Sequence, residues 1–157
     1  MPRDPEQLLG GDGLGDALTR LWTAVEPRGA VGGWATVELD RAELEVGAAL
    51  AALGDHRVED APPDELLGAR CRLLRYSEGR DMALLEPSTE GPLAAALARH
   101  GEGSVVVYLL VDAEAPDHAR GAGFRLSKVA PGPFGPERRV LVGPRDGPFL
   151  ILADVED

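Results

Sequence analysis

Trp34-Ala35-Thr36-Val37-Glu38-Leu39 alternates as a strand does, and Asp40 then opens an Ala- and Leu-rich helix to about Leu53. The same order returns about 70 residues later. Val105-Val106-Val107-Tyr108-Leu109-Leu110-Val111 reads as a strand, and Asp112 opens a second helix to about Arg120. An Asp at each helix start is an expected N-cap, because its carboxylate accepts bonds from backbone donors that the helix leaves unpaired. Short strands follow in each half: Ala69 to Arg75 and Asp81 to Glu86 in the first, Phe124 to Val129, Arg138 to Val142 and Phe149 to Ala153 in the second. Leu93-Ala94-Ala95-Ala96-Leu97-Ala98 marks a helix, over 89–100, that links the halves and stops at Gly101.

An internal repeat of this kind describes an α+β domain of two βαβββ units. Their strands are expected to form one curled mixed sheet around a cup, with a helix covering each half from outside. The domain is placed over 31–157, with halves of about 31–87 and 101–157. Residues 1–30 divide into a leader rich in Gly, Pro and Asp (1–13) and an amphipathic helix. Leu14, Leu18, Leu21, Trp22 and Val25 share one face of that helix, and Pro27 and Gly29 end it. Such a face packs on the domain itself or on a second copy.

Composition narrows the function. The chain has 157 residues, is 44% hydrophobic and only 4% aromatic, so Ala, Leu and Val must build the core. Its formal net charge is −11, a field that repels phosphate backbones, so no nucleic-acid partner is expected. No apolar run approaches a membrane span, and the N-terminal residues lack the pattern of a secretion signal, so the expected location is cytoplasmic. Cys71 is the single cysteine, which excludes an internal disulfide and a thiolate-rich metal site. No Ser-His-Asp set, HExxH or phosphate loop is present.

Ala83-Leu84-Leu85-Glu86-Pro87-Ser88, then Pro92-Leu93-Ala94-Ala95-Ala96-Leu97 and His100-Gly101-Glu102-Gly103, resemble the middle of methylmalonyl-CoA epimerases, members of the vicinal oxygen chelate (glyoxalase-like) superfamily. The resemblance continues through Val111-Asp112 and Arg139-Val140 to Gly147-Pro148-Phe149-Leu150-Ile151-Leu152. It covers roughly 31–157 and leaves the N-terminal helix unexplained. It implies the fold, a ligand cup, and a divalent metal held by four side chains from four strands. Carried over residue by residue, those four places are Trp34, Ala83, Val106 and Leu152, none of which can bind such a cation. The expectation is therefore no metal and no cofactor.

Strand parity lines the cup with Trp34, Thr36, Glu38, Ala83, Val106, Tyr108 and Leu152. Arg70 and Arg72 join them if Ala69, Cys71 and Leu73 face the helix. A slip of one residue would exchange Cys71 for those arginines. Alternation favours the arginines, because a helix packed over them would strand their charge; an ungapped match to the epimerases favours Cys71. Cys71 also reads as a small buried hydrophobe, His100 as a helix-end cation, and Arg138-Arg139 as a solvated pair or a phosphate contact. The expected function is metal-independent binding of a partly apolar, anionic small molecule, since proteins of similar fold sequester drugs without metal. One alternative is a cofactor-independent isomerase, cyclase or lyase with Glu38 as base and an arginine holding the oxyanion. Another is a degenerate, non-catalytic subunit acting in assembly. A homodimer is expected, with the N-terminal helix as its contact.

Overall fold

The structure, a computed structural model, describes residues 15–77, 81–142 and 148–155. Helix α1 (Gly15–Val25) leads into the first half, made of β1 (Gly29–Ala35), α2 (Leu39–Ala49), a short 3-10 turn, β2 (His56–Asp64), β3 (Ala69–Tyr76) and β4 (Asp81–Pro87). Helix α3 (Pro92–His100) links it to the second half: β5 (Gly103–Val111), α4 (Ala115–Gly121), β6 (Ala130–Gly132), β7 (Gly135–Val140) and β8 (Phe149–Asp154). The eight strands form one sheet in the order β2-β3-β4-β1-β5-β8-β7-β6. β1 and β5 pair antiparallel at its centre, and each runs parallel to the last strand of its own half. The α+β fold of two βαβββ units around a curled sheet stands as read. The curl brings the edge strands together. The Glu65 N–H, just past β2, donates to the Pro131 carbonyl of β6 at 3.1 Å.

Three apolar clusters share this sheet. Val31 and Ala35 of β1, Cys71 and Leu73 of β3, Ala83 and Leu85 of β4, Val106 and Tyr108 of β5, and Phe149 and Ile151 of β8 fill the inside, joined by Leu93 and Ala96 of α3. Outside the first half, Leu39, Ala42 and Val46 of α2 cover Leu74, Tyr76 and Leu84, with Trp34 packed beside them. Outside the second half, α1 and α4 cover Val107, Leu109, Leu150 and Leu152. The apolar face of α1 is thus buried in its own chain through Leu18, Leu21 and Val25. It is not available as the dimer contact expected of it. The leader over 1–13, and Leu14, lie outside the described residues.

Several local expectations are corrected. β1 covers 29–35 rather than 34–39, and its inner residues are Val31, Gly33 and Ala35, which reverses the expected parity. Gly33 is small for a reason: a Cβ there would lie 2.8 Å from the Val106 Cβ and 3.1 Å from Leu85. The sequence signals no strand at β2, because its side chains are mostly exposed and carry no apolar stripe. The segment 124–129 is not a strand; Leu126 makes a single bridge to Val140. Asp40 lies in the first turn of α2 rather than at its cap. Glu86 of β4 serves that helix end instead, its carboxylate accepting the Leu39 N–H at 2.9 Å. Asp112 accepts the Glu114 N–H at 3.1 Å, ahead of α4.

Candidate functional site

The inner face of the sheet is where a ligand cup would lie, and Ala83, Val106 and Tyr108 stand on it. Five other expected site residues do not. Trp34 and Leu152 face the covering helices. Glu38 ends the loop before α2 with its side chain 63% exposed, 3.9 Å from Arg41. Arg70 pairs with Glu86, and Arg72 reaches Asp40 at 2.9 Å and Glu43 at 3.3 Å, all on the outside. The expectation that a helix over these arginines would strand them fails because α2 itself brings Asp40 and Glu43 to Arg72. Their hydrogen bond and charges raise its pKa. Cys71 takes the inner position, as an ungapped epimerase match requires. Thr36 is buried, its hydroxyl donating to Glu102 at 2.8 Å.

The inside is not wholly apolar. β2 turns Asp64 inward at its end, fully buried, and β7 turns Glu137 inward, 1% exposed. The Tyr108 hydroxyl donates to Asp64 Oδ2 at 2.7 Å, and the Leu67 N–H donates to Oδ1 at 2.9 Å. Glu137 sits within hydrogen-bonding reach of Asp64. Two carboxylates cannot donate to each other, so this contact is a bond only when the pair holds a proton. Beyond it, neither Glu137 oxygen has a partner among the described residues. Burial first, then the Asp64 charge, pushes the Glu137 carboxyl up to about 10. Burial likewise raises the Tyr108 phenol and the Cys71 thiol. Arg139, two positions from Glu137, lies over the Phe149 ring at 4.5 Å from its centroid. Phe134 meets Tyr108 edge-on at 5.1 Å.

This polar cluster was missed in the sequence, where Asp64 and Glu137 belong to different halves. They meet only because the sheet curls until β2 and β6 approach. One local signal exists: a Cβ at Gly132 would collide with the Glu137 carboxyl, so the glycine makes room for the acid.

The metal implied by the resemblance does not fit the inner face. At the centre of the inner face, β1, β4, β5 and β8 present Val31, Gly33, Ala83, Leu85, Val106, Phe149 and Ile151, with the Tyr108 hydroxyl engaged by Asp64; Asp81, on the same face at the start of β4, is bonded to Arg75 at 2.9 Å. Among the described residues, no three His, Cys, Asp or Glu come together so as to hold an ion. A cavity of about 140 Å³ beside α4 is lined by Pro116, Val129, Glu137, Arg138, Leu152 and Asp154 among others. No helix among the described residues is long and apolar enough to cross a membrane.

Strand order, curl and central pairing define the class: the chain has the vicinal oxygen chelate (glyoxalase-like) fold. Solved structures with this fold include methylmalonyl-CoA epimerase from Mycobacterium tuberculosis, at 20% identity and a TM-score of 0.69 over 83% of this chain and 90% of that one. A hypothetical protein from Bacillus halodurans is similar at 18% identity and a TM-score of 0.64, over 81% of this chain and 93% of that one. A variant of Streptomyces coelicolor methylmalonyl-CoA epimerase, in complex with 2-nitronate-propionyl-CoA, is similar at 23% identity and 0.60, over 81% and 96%. No protein-family model matches the chain, and no curated protein matches it by sequence.

Proposed function

We propose that this chain is a metal-independent protein of the glyoxalase-like fold that takes a small, partly apolar molecule into its cup, against Ala83, Val106 and Tyr108. The observation that carries this reading is the Glu137 carboxyl group, sealed from solvent with Asp64 in bonding reach and no other partner among the described residues. A buried polar group left unsatisfied costs about 1–3 kcal/mol, and a ligand bonded there removes that cost. Buried acids with strongly displaced pKa values also concentrate at functional sites. The apolar or small residues Gly33, Ala83, Leu85, Phe149 and Ile151 at the centre of the inner face, with Asp81 of β4 already paired to Arg75, support metal independence. A thermal-shift screen of small amphiphiles tests the reading: compounds that stabilise the parent should lose that effect in Glu137→Met. If every stabilising compound acts equally on the variant, the cup is not the site.

A second reading is a cofactor-independent isomerase, cyclase or lyase. It is favoured by the same pair, with Glu137 replacing Glu38 as the cup acid. A carboxyl held protonated beside an ionised one supplies a donor and an acceptor together. Under this reading Glu137→Gln keeps binding and loses turnover.

A further inference from the structure

We propose that the Asp64–Glu137 pair is the subsite for a cationic, hydrogen-bond-donating head group, in its simplest form an alkylammonium. The inference rests on the reading that the cup takes a small molecule, and it replaces the anionic ligand suggested by arginines that stand outside the cup.

The groups facing the pair set its charge. With one shared proton, Asp64 and Glu137 together carry one negative charge inside the fold. β3 presents Cys71, whose thiol is kept protonated by burial. β5 presents Tyr108, whose hydroxyl already donates to Asp64. On β7 itself, Arg139 lies against the Phe149 ring. Among the described residues, the influences on Glu137 are burial and Asp64, both of which oppose its ionised form. An anion would add a second negative charge to this enclosure, whereas an ammonium that takes the place of the shared proton leaves its charge unchanged.

Donor and acceptor counts agree. An ionised Glu137 offers two accepting oxygens and no donor, and an ammonium offers three donors and no acceptor. The exchange balances: R–NH3+ enters, the proton shared by the pair leaves to solvent, and two carboxylates then face one ammonium. No covalent bond to carbon changes. The whole-chain charge of −11 draws cations toward the protein before any specific contact forms.

The closing experiment is titration calorimetry near neutral pH with three probes of similar shape: n-butylammonium, butyrate and 1-butanol. Added salt of about 0.5 M suppresses attraction to the acidic surface. The expected result is binding of butylammonium alone. Repeating it in buffers of different ionisation heat should show about one proton released per ligand. Glu137→Gln should bind more weakly and release no proton, since its amide has none to lose. Asp64→Asn/Glu137→Gln should weaken binding at least tenfold. Proton release is measured on the parent, so the inference stays testable if the double variant fails to fold. Butyrate binding as tightly as butylammonium, or butylammonium binding with no proton released, overturns the cationic subsite and leaves the cup reading in place. Binding by none of the three overturns both.

Discussion

Replacing Glu137 by Gln should change how stability depends on pH, and by an amount that follows from where the side chain lies. The Glu137 carboxyl is raised from an ordinary 4.5 to about 10, because burial and Asp64 both oppose its ionised form. Between those values the folded chain holds a proton that the unfolded chain has released. The group's contribution is whole below about 4.5 and is lost as pH rises toward about 10. One extra proton on the native state corresponds to about 1.4 kcal/mol per pH unit. From pH 6 to pH 8 the parent should therefore lose about 3 kcal/mol through this group. Gln keeps the shape and its amide donates to Asp64, but it does not titrate. Urea unfolding of parent and variant at pH 6, 7 and 8 isolates the effect, because all other titrating groups are common to both. The stability difference should move in favour of Gln by about 1.4 kcal/mol with each unit. A difference that stays constant across the three pH values refutes the buried, protonated Glu137.

Three further outcomes are expected. Glu86→Ala removes both the acceptor for the Leu39 N–H at the start of α2 and the partner of Arg70, and should cost about 1–2 kcal/mol in urea unfolding. Cys71, buried with its thiol raised by burial, should resist a thiol reagent in the native protein and react fully in denaturant; rapid native labelling would contradict its inward position. Leu21→Ala empties a fully buried place beneath α1 and should cost about 2–5 kcal/mol while leaving the mass in light scattering unchanged. A changed mass with unaltered stability would mean that α1 serves another chain.

What the sequence made legible, and what it hid, follows from how each element is buried. β5 and β8 are covered on both faces, so each is a continuous apolar run that reads as strand without ambiguity. β3 alternates cleanly, and the alternation of Arg70 and Arg72 against Cys71 and Leu73 is real. Its sense was hidden, because which face turns inward depends on carboxylates from α2 and β4 that only the folded sheet sets beside the arginines. β1 misled for the opposite reason. Its inner residues are small, since Val106, Leu85 and Tyr108 already occupy the space, so the larger Trp34 stood out in the sequence although it faces a helix.

The polar cluster lay furthest from view. An acid in an exposed edge strand and another after a Pro-rich turn look like ordinary surface charge, and each would be so in a flat sheet. Curling changes their environment together: it closes solvent off from Asp64, presses Gly132 against Glu137 and leaves each carboxyl with the other as neighbour. The pair therefore opposes the closure that creates it, since burying a lone negative charge costs free energy that apolar side chains at both places would not incur. The surrounding cluster, from Cys71 and Leu73 across to Phe149 and Ile151, is apolar enough to hold the seam shut against that cost. Under the proposed reading, an ammonium set between the two carboxylates would offset that cost and favour the closed state it has just entered.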